Sequence, residues 1–97
     1  MRWMLVAAAL VGSMGGVALA DEPAALVSGA GADVTGANCN ACHTSDYIVM
    51  NSVFLTGAQW TAEVTKMRKA FGAPIDDATA SEIAAYLAAH YAVAAQP

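Results

Sequence analysis

The chain is poor in positive charge. Of its 97 residues only four are Lys or Arg, against eight Asp or Glu. One of the four, Arg2, falls in an N-terminal leader, so Lys66, Arg68 and Lys69 are the whole basic complement of the remainder. A surface of this sign repels phosphate backbones, which argues against nucleic acid as a partner. Cysteine is equally scarce, Cys39 and Cys42 being the only two, and histidine is limited to His43 and His90. A structural zinc takes four ligands, and with so few thiols and imidazoles a Cys/His zinc site is disfavoured. No strand pattern precedes Cys39 and no βαβ alternation surrounds it, which disfavours a thioredoxin-like dithiol. No sheet is needed to account for any segment of the chain.

The longest apolar run lies at the start. Arg2 supplies a short positive region, Trp3 to Val17 a mostly apolar one, and Ala18-Leu19-Ala20 a small-x-small cleavage signal before Asp21. Gly12, Ser13, Gly15 and Gly16 interrupt the run, which barely reaches the roughly 20 apolar residues that spanning a membrane requires. Residues 1–20 are therefore expected to be a cleaved secretory signal peptide, residues 21–97 a single exported domain, and the location periplasmic. The remainder carries three basic residues against eight acids, a formal net charge of −5.

What is present is a pentapeptide, Cys39-Asn40-Ala41-Cys42-His43. CxxCH is the attachment sequence of a c-type haem: two thiols at this spacing reach both vinyl groups on one porphyrin edge, and the adjacent imidazole lands under the iron. Cys39 and Cys42 are expected to form the thioethers and His43 to be the proximal metal ligand, with one covalent haem c (heme c) as cofactor. Export agrees with this, because bacterial haem attachment occurs outside the cytoplasm. So small a domain is marginal without a staple, and the haem would be that staple. The apo-chain is expected to be at best molten.

The fold is expected to be all-α, with three main helices wrapped around the haem. Residues 21–31 read as an irregular lead-in, and a first helix is expected from about Ala32 to Ala41, with Asp33 as N-cap. Residues 44–59 sustain neither period and read as a loop around a haem edge. Thr56-Gly57-Ala58-Gln59 is a capping box with Leu55 and Trp60 placed as a staple. Trp60, Val64, Met67 and Phe71 then share one helical face, with Glu63, Lys66 and Lys69 pointing elsewhere. Gly72 and Pro74 end that helix. A third helix is expected to open on a second capping box, Thr79-Ala80-Ser81-Glu82, and to bury Ile83, Tyr86, Leu87, His90 and Tyr91.

The sixth ligand separates electron transport from gas binding or peroxidase chemistry. Candidates are Met50, Met67 and His90. A histidine on an apolar stripe is more often a core residue. Met50 has only seven residues, at most about 23 Å of extended chain, in which to turn to the opposite haem face. Met67 lies further along, on an interior face, and is the preferred iron ligand over Met50, although a methionine there also serves simply as core filling. Met/His ligation marks electron-transfer cytochromes. Tyr47 and Trp60 carry polar handles suited to haem propionates, and burial in the core explains each equally well. Lys66, Arg68 and Lys69 suit propionates, a docking patch or a solvated helix face.

Taken together, Cys39 to His43, the run Asp46-Tyr-Ile-Val-Met-Asn-Ser52, the helix Trp60-Thr-Ala-Glu-Val-Thr-Lys-Met67, Phe71-Gly-Ala-Pro-Ile75 and Ile83-Ala-Ala-Tyr-Leu87 resemble the small monohaem cytochrome c subunit of bacterial sulfite dehydrogenase. The likeness runs from about Gly29 to Tyr91. It implies a small class I cytochrome c-like domain, in which Gly31 would allow the first and last helices to cross closely. It implies an electron-transfer subunit that performs no bond chemistry of its own in sulfite oxidation. Its partners would be a molybdopterin-containing catalytic subunit and a downstream acceptor such as another cytochrome c. Related haem domains in quinohaemoprotein dehydrogenases share the Trp-x3-Val-x2-Met helix. The alternatives are a free-standing periplasmic shuttle and a five-coordinate haem sensor or peroxidase. No proline closely follows His43, so the resemblance does not name the acceptor for its ring N–H.

Overall fold

A computed structural model describes residues 22–96 together with Gly12 and Gly15. The expected signal peptide otherwise lies outside the described residues. Among the described residues four helices form: α1 (Ala32–Cys39), α2 (Asp46–Asn51), α3 (Gly57–Lys69) and α4 (Asp77–His90). An isolated parallel bridge between Thr56 and Val93 is the only β pairing among the described residues, so the domain is predominantly helical.

The best-specified helix is α3. Thr56 sits in extended conformation and its hydroxyl accepts the Gln59 N–H at 3.2 Å, while the Gln59 side chain accepts the Thr56 N–H at 2.8 Å. Two otherwise orphaned donors are satisfied reciprocally, as the capping box dictates. α4 starts earlier than the sequence suggests. Its N-cap is Asp76, whose carboxylate accepts the Thr79 N–H at 2.7 Å, so Thr79 is already inside the first turn. That hydrogen bond holds the Asp76 carboxyl below its usual value.

α1 also departs from expectation. Asp33 lies in its first turn, and the N-cap is Gly31 at φ 90°, with no side-chain cap. The glycine is there for two reasons: only glycine adopts this φ without cost, and a Cβ would lie 2.9 Å from the Tyr86 Cβ and 3.2 Å from the Glu82 carbonyl oxygen. The first and last helices therefore cross with almost no gap. α3 approaches α4 similarly at Gly57, where a Cβ would meet that of Ala88 at 3.1 Å.

The core is small: Ile48, Trp60, Val64, Ala80, Ile83, Tyr86, Leu87 and Tyr91. It is stitched by polar contacts from aromatic side chains. The Trp60 indole N–H donates to the Tyr91 carbonyl at 2.7 Å, and the Val93 N–H to Leu55 O at 2.9 Å, which fastens the tail to the start of α3. The lead-in is an ordered strap. The Val27 N–H donates to the Tyr91 hydroxyl at 2.8 Å while its carbonyl accepts from the Tyr86 hydroxyl. Further along, the Ala24 N–H donates to Asp46 Oδ1 at 3.0 Å and its carbonyl accepts from Ser45 Oγ. One short segment thus ties the end of α4 to the residues that follow His43.

Residues 46–51 form a helix where a loop is expected. α2 buries only Ile48, and Val49 and Met50 face outward along with Val53 and Phe54 just beyond it. A one-turn helix with apolar residues on both sides shows no amphipathic period, which is why the sequence conceals it. His90 is exposed rather than buried, its ring lying against Tyr86 with centroids 4.9 Å apart and filling the space over Gly29.

Candidate haem attachment site

The CxxCH pentapeptide straddles the end of α1. Cys39 is the last helical residue and is half-buried, Asn40 caps the helix through its N–H to Gly36 O, and Cys42 is exposed in the turn that leads to His43. Both thiols are free. Burial pushes the Cys39 thiol above its ordinary value, so it is held as the neutral thiol.

His43 Nδ1 lies 3.1 Å from the Thr44 carbonyl oxygen. A carbonyl only accepts, so this contact places the proton on Nδ1 and leaves the Nε2 lone pair free to donate to a metal. The acceptor is the arrangement in which a ring N–H fixes tautomer and orientation for a ligating histidine. The same carbonyl accepts the Tyr47 N–H at 3.3 Å in the first turn of α2, and the Thr44 hydroxyl donates to Asp46 Oδ2 at 3.2 Å. No sequence signal marks a backbone carbonyl, so this partner was invisible without the fold.

Across from the motif lies the C-terminal half of α3. Between them runs an apolar cavity of about 400 Å³ lined by Asn38, Cys39, Cys42, His43, Met67, Phe71, Ala73 and Ile75. This is within the roughly 300–1,000 Å³ of ligand and cofactor pockets. A narrow cleft of about 30 Å³ shares Cys39, His43 and Met67 with it and has Tyr47, Trp60, Glu63 and Val64 among its walls. Of the described methionines, Met67 shares walls with the motif. Met50 is 70 % exposed and lines neither space, and His90 is likewise absent from both. Phe71, expected to be buried with Trp60 and Val64, is 71 % exposed: α3 ends at Lys69, and the chain turns at Gly72 (φ 70°), which leaves the ring on the cavity rim.

Tyr47 and Trp60 both line the cleft, yet their donors are engaged within the protein. The Tyr47 hydroxyl donates to Glu63 Oε2 at 3.0 Å, and the Trp60 N–H is taken by Tyr91 O. Burial, and after it the Glu63 carboxylate, raise the Tyr47 hydroxyl above its ordinary value. The Tyr47 ring also lies against His43, with centroids 5.1 Å apart and planes at 48°. Glu63, read from the sequence as pointing away, is half-buried on the cleft wall and pairs with Lys66 at 3.0 Å. Its position four residues before Met67 was the signal available, since i and i+4 share a helix face. Arg68 pairs with Asp77 at 2.7 Å across the α3–α4 connection.

This donor set fits a c-type haem: two free thiols, an imidazole with its Nε2 lone pair available and a thioether, all on the walls of one apolar cavity. Among the described residues no three His, Cys, Asp or Glu side chains gather into one cluster. No described helix is long and apolar enough to cross a membrane. No family model matches the sequence, and no curated protein matches it significantly.

Proposed function

We propose that this chain is a periplasmic electron-transfer cytochrome c of class I type, with one haem attached through Cys39 and Cys42 and ligated by His43 and Met67. The observation that carries the reading is the shared cavity, whose lining includes Cys39, Cys42 and His43 of the motif together with Met67. Bound there, the haem supplies a store for one electron. The protein's own contributions are binding and orientation. Cys39 and Cys42 tether one edge, and the Thr44 carbonyl keeps the His43 proton on Nδ1. Phe71, Ala73 and Ile75 present an apolar wall that limits water. An opposing methionine supports a closed site used for electron transfer over an open one used for gas binding or peroxide chemistry.

Within that reading, the segments Tyr47 to Ser52, Trp60 to Met67 and Phe71 to Ile75 support assignment as the haem subunit of a sulfite dehydrogenase. It would accept electrons one at a time from a molybdopterin-containing subunit and pass them to a soluble carrier. The acidic surface and the leader support an exported partner of this kind.

The test is the exported protein. It should carry covalent haem, lost in Cys39→Ser/Cys42→Ser, and should bind carbon monoxide slowly and weakly when reduced. Rapid, tight carbon monoxide binding defeats the electron-transfer reading. A haem reducible by sulfite in material purified with a molybdopterin protein supports the subunit assignment, and a monomer unaffected by sulfite and without such a partner leaves the shuttle.

A further inference from the structure

His43 lies three residues before α2 and its ring contacts that of Tyr47 in the first turn of α2. Glu63 and Met67 are four residues apart on α3 and so share one face of it. All four line the same narrow cleft. At one end of it the Tyr47 hydroxyl donates to Glu63 Oε2 at 3.0 Å, and the other Glu63 oxygen is held by Lys66 Nζ at 3.0 Å. At the other end His43 and Met67 share the walls of the larger cavity. The Tyr47 ring, meanwhile, lies on the His43 ring at 5.1 Å between centroids. The two elements are thus joined by a hydrogen bond between Tyr47 and Glu63 beside the two proposed iron ligands, which line the same spaces.

We infer that the Tyr47–Glu63 hydrogen bond is a positioning contact, which fixes α3 about its own axis so that the Met67 thioether is held across the cleft from the His43 imidazole. The inference rests on the haem reading above. The physical argument is one of constraint. A thioether has no charge and no N–H with which to anchor itself, so its place is set by its helix. Glu63 lies about one turn before Met67, so a bond at Glu63 restrains rotation of the residue one step along the same face. Tyr47 carries that restraint to the other side because it contacts His43 directly. Neither Tyr47 nor Glu63 need touch the iron for this role.

Imidazole added to the oxidised, haem-loaded full-length protein competes with Met67 for the iron, so its apparent affinity reports how readily the thioether leaves. Tyr47→Phe, which keeps the ring on His43 and removes only the hydroxyl, should tighten imidazole binding about tenfold, as expected for loss of one hydrogen bond to a charged group. Glu63→Ala should do the same. Glu63→Gln keeps an acceptor for Tyr47 and should restore binding to within about twofold of wild type. Unchanged imidazole affinity in Tyr47→Phe overturns the inference. So does a Glu63→Gln variant as perturbed as Glu63→Ala, which would point to the carboxylate charge instead of the contact. Tyr47→Phe and Glu63→Gln conserve shape, so the comparison stands even where Glu63→Ala folds poorly. A wild-type protein without covalent haem removes the haem reading and this inference with it, whereas loaded variants indifferent to Tyr47 and Glu63 remove this inference alone.

Discussion

Gly31 and Tyr86 meet where α1 crosses α4, and the place a Cβ would occupy on the glycine is 2.9 Å from the Tyr86 Cβ. The crossing is a close contact between the N- and C-terminal parts of the domain, and Gly31 also holds φ 90°. Gly31→Ala should destabilise the haem-loaded protein by about 2–5 kcal/mol, the sum of a left-handed alanine and an overpacked contact. Gly72 makes a clean control. It has φ 70° but open space around it, so Gly72→Ala should cost only about 1–2 kcal/mol. Denaturant midpoints at constant m-value measure both, and equal losses would refute the steric argument.

Thr35 is the reverse case, a position where a substitution should help. Its side chain is fully buried on α1 and its hydroxyl has no hydrogen-bond partner. Thr35→Val keeps the shape and removes the stranded polar group, and should stabilise the protein by about 1 kcal/mol. A loss of stability would show that the hydroxyl has a partner in the haem-loaded protein.

Alkaline pH should weaken the fold through Tyr86. An unfolded tyrosine ionises near pH 10, whereas burial, aided by the neighbouring Tyr91 hydroxyl, pushes Tyr86 up to about 12. The folded state then binds the proton more tightly than the unfolded one. Its contribution is fully present below pH 10 and is lost as pH rises through 12, at up to about 1.4 kcal/mol per pH unit. Unfolding followed by tryptophan fluorescence should show this slope, and Tyr86→Phe should flatten it.

Ligation can be read optically. Oxidised protein should show the weak far-red charge-transfer band of methionine-ligated ferric haem. Met67→Ala should abolish it, and Met50→Ala, which alters an exposed side chain away from the cavity, should leave it intact. The opposite pattern transfers the assignment to Met50.

Without haem the domain should not fold cooperatively. Among the described residues the core is eight side chains, one of them an alanine, and Met67 and Cys39 are only half-buried on the walls of the apolar cavity. Secreted Cys39→Ser/Cys42→Ser protein should therefore melt without a sharp thermal transition, and a cooperative one would contradict the view that haem is the staple.

How legible these features were in the sequence depended on whether their cause is local. The α3 start at Thr56 is written in four consecutive residues that satisfy one another, and it was readable to the residue. The start of α4 was misplaced because Asp76 and Thr79 are both good caps three residues apart, and only the following backbone shows which one is used. α2 was missed because a single turn anchored by Ile48 has no period to detect. His90 follows the spacing of the buried stripe, but at the last turn of α4 its ring lies outward against Tyr86 and over Gly29, while Tyr91 beside it is buried in the core. At the site, the chemistry-bearing side chains were visible by type and spacing. What stayed hidden were two contacts among them: the Thr44 carbonyl on His43, and Glu63 on Tyr47. The first is a turn contact to a backbone atom of the next residue, which has no side-chain signature, and the second joins residues 16 apart, which no short-range pattern records.

The two tyrosine contacts to Val27 impose an order of events during biosynthesis. They join residues 59 and 64 positions apart, and both tyrosines lie far downstream of Cys42. A chain delivered N-terminus first exposes its cysteine pair well before Tyr86 and Tyr91 have emerged to fasten the strap. The domain thus passes through an interval in which its thiols are on offer and its fold is still open, an interval that closes only with the arrival of the last helix.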